Sequence, residues 1–169
     1  GKAPSKGTEI KGIIDDVHRS SLSRHHTATH LIGAAAREIL GSHIWQAGAS
    51  KSVNRARLDI THHRRLGRDL IESIESKVNK LILEDHPINT KFYSREGADK
   101  KYGNTLYQGG APKYKDVRVV EIPGIDAQAC AGTHVISTSK IEAVKVLRTE
   151  RIQDGVERIE FSAGPSAVE

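Results

Sequence analysis

Four side chains of this 169-residue sequence have the types and spacing to grip one metal ion. His26 and His30 stand four residues apart in an alanine-rich run, and at about 100° of rotation per residue a helix stacks them on one face. Cys130, the single cysteine, is followed four residues later by His134, with Gly132 between them permitting a tight turn. Two imidazoles from a helix plus a thiolate and an imidazole from a distant turn make a donor set suited to Zn²⁺. The same four residues also read as a surface histidine pair, a small buried cysteine and a hydrogen-bonded core histidine. A zinc-peptidase pattern is disfavoured, because the position after the first histidine is Thr27 and not the glutamate that would act as general base.

The elements that must position these groups follow from periodicity. Ser21 or Ser23 can cap a helix that runs to Leu40 and stops at Gly41. Ala28, Ile32, Ala35 and Ile39 cluster nearly opposite the histidine pair, so this helix is expected to bury an aliphatic face while His26 and His30 look away from it. Two strands come next, the second over residues 53–60, where Arg55, Arg57 and Asp59 alternate with mostly apolar residues. Residues 68–84 form an amphipathic helix with Leu70, Ile71, Ile74, Val78, Leu81 and Ile82 along one stripe. Strands are predicted at 89–94, 117–122, 141–152 and 156–162, the last two joined at Asp154-Gly155. Residues 95–115, rich in Gly, Lys and Tyr, read as a long loop, and no internal repeat is found. The result is an α+β fold, a mostly antiparallel sheet with two main helices on one face. Residues 1–7 read as a linker and 8–14 as a strand, so that 1–17 is the end of a preceding, absent domain and 18–169 the functional unit.

Lysine and arginine number 26 against 21 acidic residues, a net charge of +5 that permits a polyanionic partner. Arg55 and Arg57, with Lys51, Arg64 and Arg65, are the candidates to meet RNA phosphates, unless they form an ordinary solvated face. A lone cysteine fits a reducing compartment, and the cytoplasm is expected. No apolar run approaches the ~18 residues of a membrane helix, and the N-terminus lacks a signal-peptide layout. Methionine is absent altogether, so the sequence reads as part of a longer chain.

HTATH at 26–30, WQAGA at 45–49, RLDITHH at 57–63, CAGTHV at 130–135 and GVERIEFSAG at 155–164 together resemble the editing domain of alanyl-tRNA synthetases, in its archaeal form. The resemblance covers nearly the whole chain from Lys6. It extends to the editing domain of threonyl-tRNA synthetases and to free-standing alanyl-tRNA editing proteins. It implies hydrolysis of the ester joining a wrong amino acid, serine or glycine, to the acceptor end of alanine tRNA, with the remaining synthetase domains as further partners. It also implies that His26, His30, Cys130 and His134 bind zinc and that Gln46 lies in the editing pocket. Bacterial members usually carry glycine where this chain has Ala131. Segments for ATP-dependent charging are absent, so no ligase activity is expected.

Serine exceeds alanine by a hydroxyl, so a size sieve cannot admit the first and refuse the second; polar groups that need the hydroxyl must do so. Thr27, Thr29 and Gln46 are the candidates, although both threonines also read as helix residues bonding back to their own carbonyls. Two other readings stand beside the deacylase: a zinc-stabilised tRNA-binding module without hydrolysis, and a metal-dependent esterase acting on small aminoacyl esters.

Overall fold

A computed structural model describes residues 3–110 and 114–168; residues 1–2 of the expected linker, 111–113 of the expected loop and Glu169 lie outside the described residues. In chain order the elements are helix α1 (Asp16–Leu40), strands β1 (Gln46–Lys51) and β2 (Ala56–Thr61), helix α2 (Arg68–Leu83), strand β3 (Asn89–Ser94), helix α3 (Arg95–Tyr102), and strands β4 (Asp116–Ile122), β5 (Asp126–Ala129), β6 (Val144–Gln153) and β7 (Val156–Ala163). The strands make two antiparallel sheets, ordered β1-β2-β7-β6 and β3-β4-β5. The α+β class is as the sequence implies, with a third helix and with the strands divided between two sheets. No helix among the described residues is long and apolar enough to cross a membrane.

Helix α1 is the centre of the packing. Every residue from Thr27 to Ala36 is buried, so the helix hides its whole circumference and not one aliphatic stripe. Leu31 and Ile32 meet Leu58 and Ile60 of β2, Ile159 and Phe161 of β7, and Ile74, Val78 and Ile82 of α2 in one apolar core. Small residues make this enclosure possible: at Gly33 a side chain would touch Leu58 at 3.9 Å, and Ala34, Ala35 and Ala36 leave room for neighbours on the remaining sides. The side of the helix that carries His26 and His30, away from the aliphatic residues, is covered by β5 and the turn after it. A smaller core of Ala98, Leu106, Val117 and Val119 fills the space between α3 and the second sheet.

Polar spacing on α2 closes the edge of the first sheet. Asn79 accepts from the Val144 N–H at 2.9 Å and donates to the Val144 carbonyl at 2.8 Å, completing β6 as a neighbouring strand would. Two residues along the edge, Glu75 accepts from the Val146 N–H at 2.7 Å. These contacts spend edge groups that would otherwise invite another chain.

Several boundaries differ from the sequence reading. No strand forms over residues 8–14, where Ile10, Ile13 and Ile14 are exposed and nothing among the described residues pairs with them. Helix α1 starts earlier than Ser21, because Asp15 accepts from the His18 N–H at 2.9 Å and caps it; a boundary after residue 17 falls inside its first turn. Strand β2 begins at Ala56 and not at 53, since Ser52 bonds twice to the Arg55 carbonyl and makes the turn. The stretch 95–115 is not one loop: Ser94 caps α3 by accepting from Gly97 N–H at 3.2 Å. Strand β6 starts at Val144, after a 3-10 turn over Thr138–Ile141 that ends at Glu142 with φ +76°.

Replacing Asn79 with alanine leaves the Val144 donor and acceptor without their partner, and should lower stability by about 1–3 kcal/mol in denaturant melts. A change under a few tenths would show that β6 is held by β7 alone.

Candidate metal centre

The turn that follows β5 carries two of the four donors. The Cys130 N–H continues the β-ladder to Arg118 O at 3.0 Å, and the Arg118 guanidinium then bonds to the carbonyls of Cys130 at 2.6 Å and Gly132 at 2.9 Å. This pins the turn across from the first half of α1, where one donor nitrogen of His26, of His30 and of His134 and the Cys130 sulfur all lie within 4.8 Å of one another. The sulfur is 3.4 Å from Nε2 of His26 and 3.4 Å from Nε2 of His134.

The other ring nitrogen of each imidazole decides which tautomer is present. His26 Nδ1 lies 3.2 Å from the Thr133 carbonyl, which can only accept, so Nδ1 carries the proton and Nε2 the free lone pair. His134 Nδ1 lies 3.1 Å from Thr27 Oγ1. That hydroxyl gives its one proton to Ser23 O at 2.9 Å and accepts from the Val135 N–H at 3.2 Å. It can therefore only accept from His134, again leaving Nε2 bare. His30 Nδ1 is 3.3 Å from Asp126 Oδ2 but poorly aligned, and it is a fully buried polar atom without a hydrogen bond. Asp126 is held by Arg37 at 2.6 Å and by Gln128 at 2.8 Å, so a small ring rotation at His30 would complete a carboxylate–histidine pair of the kind that orients metal ligands.

Burial opposes ionisation of Cys130, yet the imidazoles of His134, His26 and His30 beside the sulfur outweigh it and bring the thiol down to about 3. Burial holds His134 down to about 4, with His30 and His26 adding to the effect against the pull of Cys130. For His30 desolvation is opposed by the neighbouring Asp126 and Cys130, which prevail and raise its pKa. Bare nitrogens on His26 and His134, with the His30 imidazole and the Cys130 sulfur beside them, form the nitrogen and sulfur donor set that zinc prefers, and the residues fit that ion.

A glycine is required at the heart of the turn. A Cβ placed on Gly132 would sit 2.2 Å from Cε1 of His26 and 2.5 Å from its Nδ1. Ala131, where the extra methyl stands, is exposed and lines an open groove of about 470 Å³ with Phe92, Tyr114, Arg118 and Cys130, so that methyl crowds no ligand.

The remaining candidates fall in different places. Thr27 is saturated by Ser23, Val135 and His134, and so it orients a ligand and has no proton or lone pair left for a substrate. Thr29 donates to His25 O at 2.7 Å and lines a narrow cavity of about 10 Å³, space for about one water, shared with Gln46, Gln108 and Gln128. Gln46 is half-buried at the start of β1; its N–H donates to Gln108 Oε1 at 3.2 Å, and its side-chain amide makes no hydrogen bond among the described residues. Gln128 bonds Asp126, so the wall below Gln46 is continuous with the metal cluster. Lys51 ends β1 half-buried; desolvation lowers its pKa, and the charge of Cys130 acts the other way.

The arginine-rich strand face is not a free basic surface. Arg57 pairs with Asp59, which Arg158 also grips at 2.7 and 3.0 Å, and Arg148 pairs with Glu160 at 2.8 Å. Cross-strand register sets Arg57 against Glu160 and Asp59 against Arg158, so cations and anions alternate across the face. Arg55, Arg64 and Arg65 are exposed, without an ion pair among the described residues. The sequence reading missed Asp126 and Gln128. Their alternate spacing with Cys130 puts all three on one strand face, a signal that needed β5 to be recognised first.

Residues 117–160, which include Cys130 and His134, match the family described as the threonyl and alanyl tRNA synthetase second additional domain. Alanine–tRNA ligases are similar over nearly the whole chain. That of Methanosphaera stadtmanae is 52% identical over 162 residues, covering 96% of this chain and 18% of the relative. Those of Methanobrevibacter smithii and Methanopyrus kandleri are 53% and 50% identical over 163 and 169 residues, 96% and 100% of this chain, again 18% of each relative. The chain thus spans less than a fifth of the length of these relatives.

Gly132→Ala should push His26 out of place and weaken zinc by roughly tenfold or more, the scale seen when a ligand loses its orientation. Ala131→Gly should leave affinity unchanged. Competition with a chromophoric chelator measures both, and equal affinities for the two variants would remove Gly132 from the account.

Proposed function

Because this chain is a relative of a segment of alanine–tRNA ligases that carries the threonyl and alanyl tRNA synthetase second additional domain, we propose that it hydrolyses alanine tRNA mischarged with serine or glycine. The observation that carries the reading is the convergence of three imidazoles and the Cys130 sulfur beside an open groove. In the reaction, water adds to the ester carbonyl and the bond to the ribose oxygen breaks, releasing the amino acid and an uncharged tRNA whose hydroxyl takes up the proton. His26, His30, Cys130 and His134 hold zinc, with Thr27 and Asp126 orienting His134 and His30. Bound there, zinc supplies positive charge for a developing oxyanion or for the substrate's amino group.

The chain's own residues do the rest. The groove lined by Phe92, Tyr114 and Arg118 receives the terminal nucleoside, placing its ester against the cluster. The unpaired Gln46 amide reads the serine hydroxyl; alanine would leave it unmatched, a penalty worth up to ~10⁴ in rate where such groups are desolvated. Thr29 keeps a helix-bonding role. Lys51 adds a half-buried positive charge close to the thiolate. Arg55, Arg64 and Arg65 meet acceptor-stem phosphates, while Arg57 stays with Asp59. The parent protein would be a cytoplasmic synthetase, with its editing unit starting at the Asp15 cap of α1 and not at residue 18.

One observation favours a second reading: four protein donors can saturate a tetrahedral ion, which is the arrangement of structural zinc. On that reading the chain binds tRNA and cleaves nothing. Single-turnover deacylation of seryl- and alanyl-tRNA for alanine separates the two. Serine should be released, alanine retained, and a zinc chelator should abolish the release. Gln46→Ala should slow serine release by about tenfold or more with an unchanged melting temperature. Zinc-loaded, folded protein that binds the tRNA and leaves its seryl ester intact would establish the structural role.

A further inference from the structure

A second group of imidazoles gathers at the opposite end of α1. His43 lies in the loop after that helix, and His62 and His63 follow β2. One ring nitrogen from each lies within 4.8 Å of the other two. His43 Nε2 and His62 Nδ1 share a hydrogen bond at 2.9 Å, whose proton an ion bound by both would displace, and the three ring centroids are separated by 5.2, 5.4 and 4.9 Å. Gly41 to His30 is eleven residues of helix, ~16 Å at 1.5 Å per residue, so this cluster is separate from the one around Cys130.

The backbone beneath the three rings is clamped. Thr61 donates its hydroxyl to the His43 carbonyl at 2.6 Å and accepts from the Trp45 N–H at 2.8 Å, fixing the loop to the end of β2. His62 N–H bonds Gly155 O at 2.8 Å in the β6–β7 turn, and Arg151 holds the His63 carbonyl at 3.2 Å. A side chain at Gly41 would lie 3.2 Å from His43 Nδ1, so that edge of the ring rests on the glycine and Nε2 is the nitrogen left facing His62. His62 is buried while His43 and His63 are exposed, which leaves a hydrated ion a path to all three.

Two nitrogens each bound at ~2.0–2.1 Å to one ion lie about 2.9–3.4 Å apart for angles between square and tetrahedral, and the His43–His62 pair already has the shorter spacing. No carboxylate pairs with these three rings among the described residues, and Arg151 is neutralised by Glu157 at 2.8 Å. An all-imidazole set selects borderline transition metals over calcium or magnesium. We propose that His43, His62 and His63 form a second metal site, which takes a borderline divalent transition-metal ion with water completing its shell. The ion would tie the exit of α1 to the end of β2.

The test uses untagged protein, zinc-loaded at the Cys130 cluster and titrated with Ni²⁺ by calorimetry at about pH 7.5, where free imidazole is neutral. One nickel per chain should bind beyond the resident zinc. His43→Ala and His63→Ala, both at exposed positions, should each weaken it by roughly tenfold or more, since even an outer-shell partner is worth that much. Bound zinc and melting temperature should not move. A His26→Ala variant should keep the nickel site. Failure to bind nickel, binding that ignores both exposed histidines, or binding lost with His26 would overturn the proposal.

Discussion

Three histidines can converge on one point only if something else occupies the far nitrogen of each ring. Here the Thr133 carbonyl and the Thr27 hydroxyl take those places for His26 and His134, and the Asp126 carboxylate stands 3.3 Å from His30 Nδ1, within a small ring rotation of doing the same. Most of the architecture can be traced to supplying those three partners. Thr27 can serve His134 only because its proton is already committed to Ser23 and its other lone pair to Val135. Asp126 can serve His30 only because Arg37 and Gln128 hold the carboxylate still. The Thr133 carbonyl is available because Arg118 staples the turn on the flanking carbonyls of Cys130 and Gly132.

Such a site demands that a polar helix segment be covered on every side, which an ordinary amphipathic helix does not achieve. The solution in α1 is side-chain economy: alanines and a glycine admit neighbours closely, and the buried polar residues other than His30 find hydrogen-bond partners. His25 illustrates the rule. It is fully buried and donates from Nδ1 to Ser21 O at 2.9 Å, while Nε2 accepts from the Ala163 N–H at 3.1 Å, joining the helix to the end of β7. Neighbouring histidines thus have opposite duties, His25 with both nitrogens spent on the fold and His26 with one left over.

Much of this was legible in the residues. The four-residue spacing of His26 and His30 and the chemistry of Cys130 and His134 identify the donor set, and the apolar period of α2 gives that helix within a residue. The burial of α1 was not legible, because Ser23, His25 and Thr27 look solvated until their partners Thr133, Ala163 and His134, more than a hundred residues later, are known. Strand β5, Asp-Ala-Gln-Ala, was passed over for its weak strand propensity, and with it went Asp126 and Gln128. Residues 8–14 mislead in the other direction, since alternation marks a strand only where a partner exists. The strand arginines carry a related lesson: Arg57 pairs with Asp59 on its own strand, and the cross-strand Arg158 that grips the same carboxylate is distant in sequence.

The most direct test of the convergence of these donors is X-ray absorption at the zinc edge on the zinc-loaded chain. The account predicts one sulfur scatterer at ~2.3 Å and three imidazole nitrogens at ~2.0–2.1 Å, with the sulfur lost in Cys130→Ser. A spectrum fitted by nitrogen and oxygen alone, unchanged by that substitution, would contradict it.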